Sequence, residues 1–291
     1  MHAVYELLRD TVRGFMADGA TRKAAALSYY TLFSLAPLLI ISIAVAGAFF
    51  GAEAARGEII AQLRGLLGEE AAVAVEGMVK SAARPGAGFW AAIIGVVTLL
   101  FGATTAFAEL KQSLDQIWEA PSATLEGLWY TVRTRLLSFG VILSIGFLLL
   151  VSLVFSAAVA ALQQRWLVGD SAGAWLQVLN ATFSYFGVAA MFGMLYKLLP
   201  SVRIAWGDVV MGSLVTAALF TIGKFVIGLY LGRSAISSSY GAAGAVIVIL
   251  VWVYYSALIF LFGAEFTKVF ARRQGSHARK ARKPSGPIQT S

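Results

Sequence analysis

The sequence predicts an all-α, polytopic membrane protein. It has six transmembrane helices, with amphipathic helices in the N-terminal segment and the first extracytoplasmic loop. Three observations predict this class. The 291 residues are 59% hydrophobic and 13% charged, about half the charged share of a soluble domain. Mean hydropathy is +0.77. Six apolar runs, near 25–50, 89–109, 137–162, 176–199, 207–231 and 241–268, approach or exceed the ~20 residues that cross a bilayer as a helix. Lipid offers no partner for backbone N–H and C=O groups, so each run must be helical.

Residues 1–23 form the first expected unit, a cytoplasmic interfacial helix. In "VYELLRDTVRGFMADG", Val4, Leu7, Leu8, Val12 and Phe15 recur at helical spacing, while Arg9 and Arg13 lie elsewhere on the wheel. Some twenty mixed residues before the first long run fit a retained anchor better than a cleaved leader.

Residues 24–270 form the transmembrane domain. Its first span, "ALSYYTLFSLAPLLIISIAV", is polar in its first half, with Ser28, Tyr29, Tyr30, Thr31 and Ser34. Pro37 lacks the N–H that would bond the Phe33 carbonyl, which predicts a kink. Broken helices of this kind line the sites of many transporters. The loop 52–87 holds two amphipathic stretches broken at Gly68, expected as short helices lying on the membrane or capping the bundle, with a structural cap favoured over a partner-binding role. In the link 110–135, Asp115 and Glu119 are four apart and are expected to share a solvated helix face.

The fifth span contains Lys224, within "TIGKFVIGLYL". A charge at the centre of a membrane helix costs about 2.5–3.5 kcal/mol on insertion scales. The helical wheel groups Lys224 with Ser213, Ala217, Phe220, Thr221, Gly228 and Leu231, opposite Val215, Leu219, Ile222, Val226 and Leu229. Lys224 is therefore expected to face the protein interior, roughly 10 Å from the outer end of its helix at 1.5 Å per residue. Gly228 and Gly232 are spaced for close helix approach. Glu109 and Glu265 lie near inner boundaries as candidates for proton or ion coupling, with Lys268 as the partner of Glu265.

Residues 271–291 form a basic cytoplasmic tail without apolar periodicity, expected to be disordered and to meet anionic lipid. Counted over the expected topology, sixteen Lys and Arg fall inside and six outside, with Lys224 within a span. This asymmetry places both termini in the cytoplasm. It also explains the net charge of +8 without nucleic acid.

Several functions are excluded. There is no cysteine, and the only histidines are His2 and His277. No metal site and no cofactor are expected. The acids are scattered over loops, which argues against a nuclease. No phosphate-binding G-x-x-x-x-G-K-[ST] motif is present, so the chain brings no ATPase of its own. No enzymatic activity is expected.

The segments "AALSYYTLFSLAPLL", "LYKLLPSVRIAWGDVVMGSLVTAALF", "GKFVIGLYLGRSAISSSYGAAGAVIVILVWVYYSALIFLFGAE" and "LDQIWE" resemble the YihY/BrkB family of bacterial inner-membrane proteins, historically labelled ribonuclease BN-like. The resemblance covers about residues 10–270. It implies six helices and an inner-membrane location, and it carries no assigned mechanism. Lys224, Tyr230, Tyr240, Gly241, Trp252, Tyr254, Gly263 and Glu265 match its motifs without a catalytic role.

The expected function is a transporter or flippase of an anionic amphiphile or lipid. The alternative is a non-transporting scaffold for envelope assembly. Lys224, Tyr230, Tyr240, Ser28, Tyr29, Ser34 and Pro37 are the candidate ligand-binding residues. Expected partners are anionic lipid headgroups, with no nucleic acid; envelope proteins and self-association stay open.

The charge-based topology has a direct check. With no native cysteine, a cysteine at Ser171 should react with an impermeant thiol reagent once the outer membrane is permeabilised. One at Ser276 should react only after the inner membrane is opened. The reverse pattern overturns the orientation.

Overall fold

The computed structural model describes residues 2–67, 69–82, 89–121, 170–233 and 242–276. The expected third span at 137–162, most of the link after 121, Tyr240 and the tail from 277 lie outside them. The described residues form eight α-helices and no strand: α1 (His2–Ala17), α2 (Ala20–Phe50), α3 (Ala52–Leu67), α4 (Glu69–Ala82), α5 (Phe89–Ile117), α6 (Asp170–Leu198), α7 (Trp206–Arg233) and α8 (Ala242–Arg273). Three stretches are long and apolar enough to cross a membrane: Val178–Leu198, Trp206–Tyr230 and Val246–Arg273. The runs expected at 25–50 and 89–109 fall on α2 and α5. The described residues are thus all-helical, and the chain is a multi-pass membrane protein.

The chain divides into two compact units, the first made of residues 1–19, 114–218 and 260–291, the second of 20–113 and 219–259.

In the first unit, α7 and α8 cross through a reciprocal pair of small residues. A Cβ added at Gly212 would overlap the Thr267 side chain, and one added at Gly263 would overlap that of Thr216. Gly212 and Thr216 stand four apart on α7, as do Gly263 and Thr267 on α8, so the pairing is antiparallel. Each threonine hydroxyl donates to the carbonyl of the glycine in its own helix: Thr216 Oγ1 to Gly212 at 2.7 Å and Thr267 Oγ1 to Gly263 at 2.6 Å. The hydroxyls are thereby satisfied and their methyls are left for packing. Tyr196 of α6 is fully buried and closes the crossing. Its hydroxyl donates to the Phe260 carbonyl at 2.7 Å and lies 3.1 Å from Thr216 Oγ1. Phe192, Tyr196 and Phe260 pack around it with ring centroids 5.1–6.4 Å apart. Tyr185 ties α6 to α7 a second time, donating to the Leu214 carbonyl at 2.8 Å.

In the second unit, Leu39 and Ile43 of α2, Val75 and Val79 of α4, Ile227 of α7, and Val248, Ile249 and Trp252 of α8 form one buried cluster. The α3–α4 hairpin therefore caps the helices, as its amphipathic pattern predicts. Gly51 turns the chain between α2 and α3 with φ +88°, a conformation that glycine adopts without steric cost. Ion pairs of Arg64 with Glu69 at 3.2 Å, and of Lys80 with Glu76 at 2.7 Å, lace the hairpin's outer side. The helix α2 runs from Ala20 to Phe50, with Pro37 within it. Gly102 of α5 comes so close to α2 that an added Cβ would sit 3.1 Å from Ser34 Cβ. By contrast, a Cβ at Gly228 would meet nothing within 4 Å. The close approach expected at Gly228 is found at Gly102, Gly212, Gly223 and Gly263 instead.

Alanine at Gly212 or Gly263 should overpack the crossing and cost about 1–3 kcal/mol or more, read as a lower apparent Tm of the detergent-purified protein. Alanine at Gly228 should leave Tm unchanged or raise it slightly, since it reduces backbone freedom in the unfolded chain. Equal Tm values for all three variants would refute the assigned contacts.

Candidate functional site

On α7, the second-unit segment from Leu219 onward shows a sharp division of faces. Gly223 and Ile227 are buried, and a Cβ at Gly223 would lie 2.6 Å from Tyr255 Oη and 2.8 Å from Ile259 Cδ1. Ile222, Phe225, Val226, Leu229 and Tyr230 point outward, Phe225 with 69% of its surface exposed. Lys224 stands on the border, half-buried, with its Nζ 5.6 Å from the centroid of the Phe225 ring. Of the residues that the wheel groups with Lys224, Ser213 and Ala217 are buried, and Gly223 and Ile227 beside it are buried as well, so the half-buried lysine stands at the edge of the packed face. An ammonium in this position is reached sideways, along a surface otherwise made of exposed apolar side chains. A cation beside an aromatic face is also stabilised by the ring quadrupole.

The other expected ligand-binding residues among the described ones have contacts of their own. Ser28 is buried and donates to the Leu250 carbonyl of α8 at 2.8 Å. Ser34 is buried against Gly102 and donates to the Thr31 carbonyl at 3.0 Å. Both hydroxyls serve helix packing. Tyr29 is exposed and meets Tyr30 and Phe33 edge-on, at 5.6 and 4.9 Å. Tyr230 is exposed on the outward face of α7. Pro37 lies within continuous helix, and Glu109 is half-buried on α5. Glu265 belongs to the first unit.

In that unit, Glu265 is 1% exposed, with Oε2 4.0 Å from Lys268 Nζ. The backbone of α1 passes close over it, since a Cβ at Gly14 would lie 2.6 Å from Oε2. Lys268 pairs more closely with Glu119, at 3.2 Å, and Arg272 reaches the other oxygen of Glu119 at 2.7 Å. Arg273 holds α1 through Glu6 at 2.6 Å and through Asp10. Asp115 accepts the backbone N–H and hydroxyl of Ser201 at 2.6 and 2.9 Å. Asp208 accepts the Ser276 hydroxyl at 2.6 Å and its N–H at 3.2 Å. Lys197 donates to the Ile204 carbonyl and lies over the Trp206 ring at 5.2 Å.

Glu119 is exposed, as a solvated acid should be, but it does not share a helix face with Asp115. The helix α5 ends at Ile117, and Glu119 follows with φ 51°, in the left-handed region. Ala120 N–H then bonds back to the Asp115 carbonyl at 2.8 Å, closing the helix end. A glutamate in the place that glycine usually takes is strained, and here the turn aims its carboxylate at Lys268 and Arg272. No spacing rule reveals these pairs, because their partners lie about 150 residues away in the sequence. Among the described residues, no group of three His, Asp or Glu is placed to hold a metal ion.

Residues 11–287 match the family model described as "Virulence factor BrkB". The chain belongs to the BrkB family. It is 28% identical to a UPF0761 membrane protein of Pseudoalteromonas atlantica over 90% of its own length and 85% of that protein's. It is 30% identical to one of Pseudomonas paraeruginosa over 89% of its own length and 61% of that protein's. It spans a similar share, 58%, of a relative from Alkalilimnicola ehrlichii. Several relatives are thus considerably longer than this chain. No solved structure matches it.

Hydrogen bonds from Arg272 and Lys268 hold the Glu119 carboxyl below the usual carboxylate range. A depressed folded pKa adds stability that is full above the unfolded value and is lost as pH falls through the folded one. Apparent Tm should therefore drop between about pH 5 and pH 3. Glu119→Gln should flatten part of that drop while lowering Tm at pH 7 by less than about 1 kcal/mol equivalent, because the group is exposed to solvent screening. An unchanged acid limb in the variant would show that the tie contributes nothing.

Proposed function

We propose that this chain is a six-span protein of the bacterial inner membrane, with both termini in the cytoplasm. It binds an anionic amphiphile at Lys224 and acts as a transporter or flippase without an ATPase of its own, and it is not an enzyme. The border position of Lys224 carries the reading. A cation that only anchors the helix would be expected to reach the aqueous end. This one stands beside Phe225 amid exposed apolar side chains, where a lipid headgroup is the anion that can arrive together with its chains. The positive-inside asymmetry supports the orientation, and membership of the BrkB family supports the bacterial envelope setting.

The scaffold reading draws on the α3–α4 hairpin as a docking element. The apolar side of that hairpin is already used against α2, α7 and α8, which favours the lipid reading.

Lys224→Met should fold as well as the native chain, because removing a costly charge favours the helix in lipid. Native mass spectrometry in gentle detergent should show it losing bound anionic lipid while keeping zwitterionic lipid. Lys224→Arg should keep most of the anionic lipid, since the charge remains. Equal anionic-lipid retention in Lys224→Met and the native protein, at matched folding, would defeat the proposal.

A further inference from the structure

The face that α1 shows to its surroundings is apolar: Val4, Tyr5, Leu8, Val12 and Met16 are all exposed. We infer that α1 lies in the plane of an anionic leaflet, with Val4, Tyr5, Leu8, Val12 and Met16 sunk into the headgroup layer and Arg9 and Arg13 along its phosphate-facing edge.

The sequence alone shows one apolar set on this helix, and the structure divides it in two. Leu7 and Thr11 are buried, Phe15 meets Phe262 edge-on at 5.9 Å, and Gly14 seats against Glu265. Val4, Tyr5, Leu8, Val12 and Met16 stay exposed, Met16 by 75%. At about 100° per residue, these five fall within an arc of roughly 120°, which the half-buried Phe15 shares at its Val4 side. Arg9 and Arg13 follow immediately at its edge. The acids Glu6 and Asp10 lie further round, and both are held by Arg273. Asp10 also takes a bond from Arg9 at 3.2 Å. Hydrogen bonds from Arg273 and Arg9 outweigh partial desolvation and keep the Asp10 carboxyl below its usual range.

Two consequences follow. The clamp prevents α1 from rolling, so the exposed arc is fixed. It also withdraws the helix's negative charges from the outward side and leaves arginine there. Arg273 ends the apolar stretch Val246–Arg273, whose 28 residues exceed the ~20 that cross the hydrocarbon, so in this inference α1 is tied beyond the core, at headgroup depth. An apolar arc with a basic edge at this depth fits an anionic bilayer surface, where each basic residue adds attraction.

The test uses the full-length chain, which has no native cysteine. Single cysteines at Val12, Met16 and Ala17 carry an environment-sensitive nitrobenzoxadiazole label in reconstituted vesicles. The vesicles are phosphatidylcholine alone or with phosphatidylglycerol, each with and without a lipid bearing a nitroxide near its headgroup. Labels at 12 and 16 should shift to the blue and lose intensity with the nitroxide lipid, more so with phosphatidylglycerol, while the label at 17 should do neither. Adding Arg9→Gln and Arg13→Gln should bring the phosphatidylglycerol result back to that of phosphatidylcholine. Water-like emission at 12 and 16 overturns the inference. So does a blue shift without nitroxide quenching, which would mean that protein, such as a second copy, covers the arc. Equal quenching in the two lipid mixtures also overturns it, because the anionic leaflet is part of the inference.

Discussion

The interlocked Gly–Thr crossing of α7 and α8 is the contact on which the first unit depends. Inside a bilayer there is no hydrophobic gain in pressing two apolar helices together, because lipid tails are as apolar as leucine. Close packing and internal hydrogen bonds must hold them instead. Gly212 and Gly263 lower the helix surfaces, Thr267 and Thr216 fill the hollows, and each threonine hydroxyl returns to its own helix. Tyr196 then brings in α6 by bonding the Phe260 carbonyl. One small-residue spacing, used once on each helix, thus sets the positions of three helices.

Charge acts at the edges of that packing. Glu119, Arg272, Lys268 and Glu265 form one ionic line, and Arg273 with Glu6 and Asp10 forms another. These ties use long side chains, and the exposed ones contribute little stability individually. Their effect is positional. The left-handed residue Glu119 is held where its carboxylate meets two cations, and α1 is fixed in one rotation about its axis. That rotation decides which of its apolar residues meet protein and which face outward.

Lys224 shows how far sequence reasoning reaches. A lysine inside a long apolar run is conspicuous, and its helix is assured by the backbone's needs in lipid. The wheel gives its azimuth relative to its neighbours. It does not say which sector another helix will occupy. Tyr255 and Ile259 pack on Gly223, and that contact leaves Lys224 half-buried at the edge of the packed face. Ser28 and Ser34 illustrate the reverse case. Their polarity suggests a ligand, while their partners are the Leu250 and Thr31 carbonyls.

The sequence by itself determined the class of the protein, the helices found among the described residues, and its family. Hydropathy and backbone hydrogen bonding act locally, so a run of apolar residues is readable wherever it stands. The capping role of the α3–α4 hairpin was also legible, because an amphipathic pattern between spans must find an apolar surface nearby. Only the tertiary structure decided which glycines are contacts, why Glu119 adopts a left-handed turn, and which face of α1 is left open. Each of these depends on residues tens to hundreds of positions apart coming within a few ångströms. No local spacing encodes that, because the same Gly-x-x-x-Thr or exposed-arginine pattern is harmless until a particular neighbour packs against it.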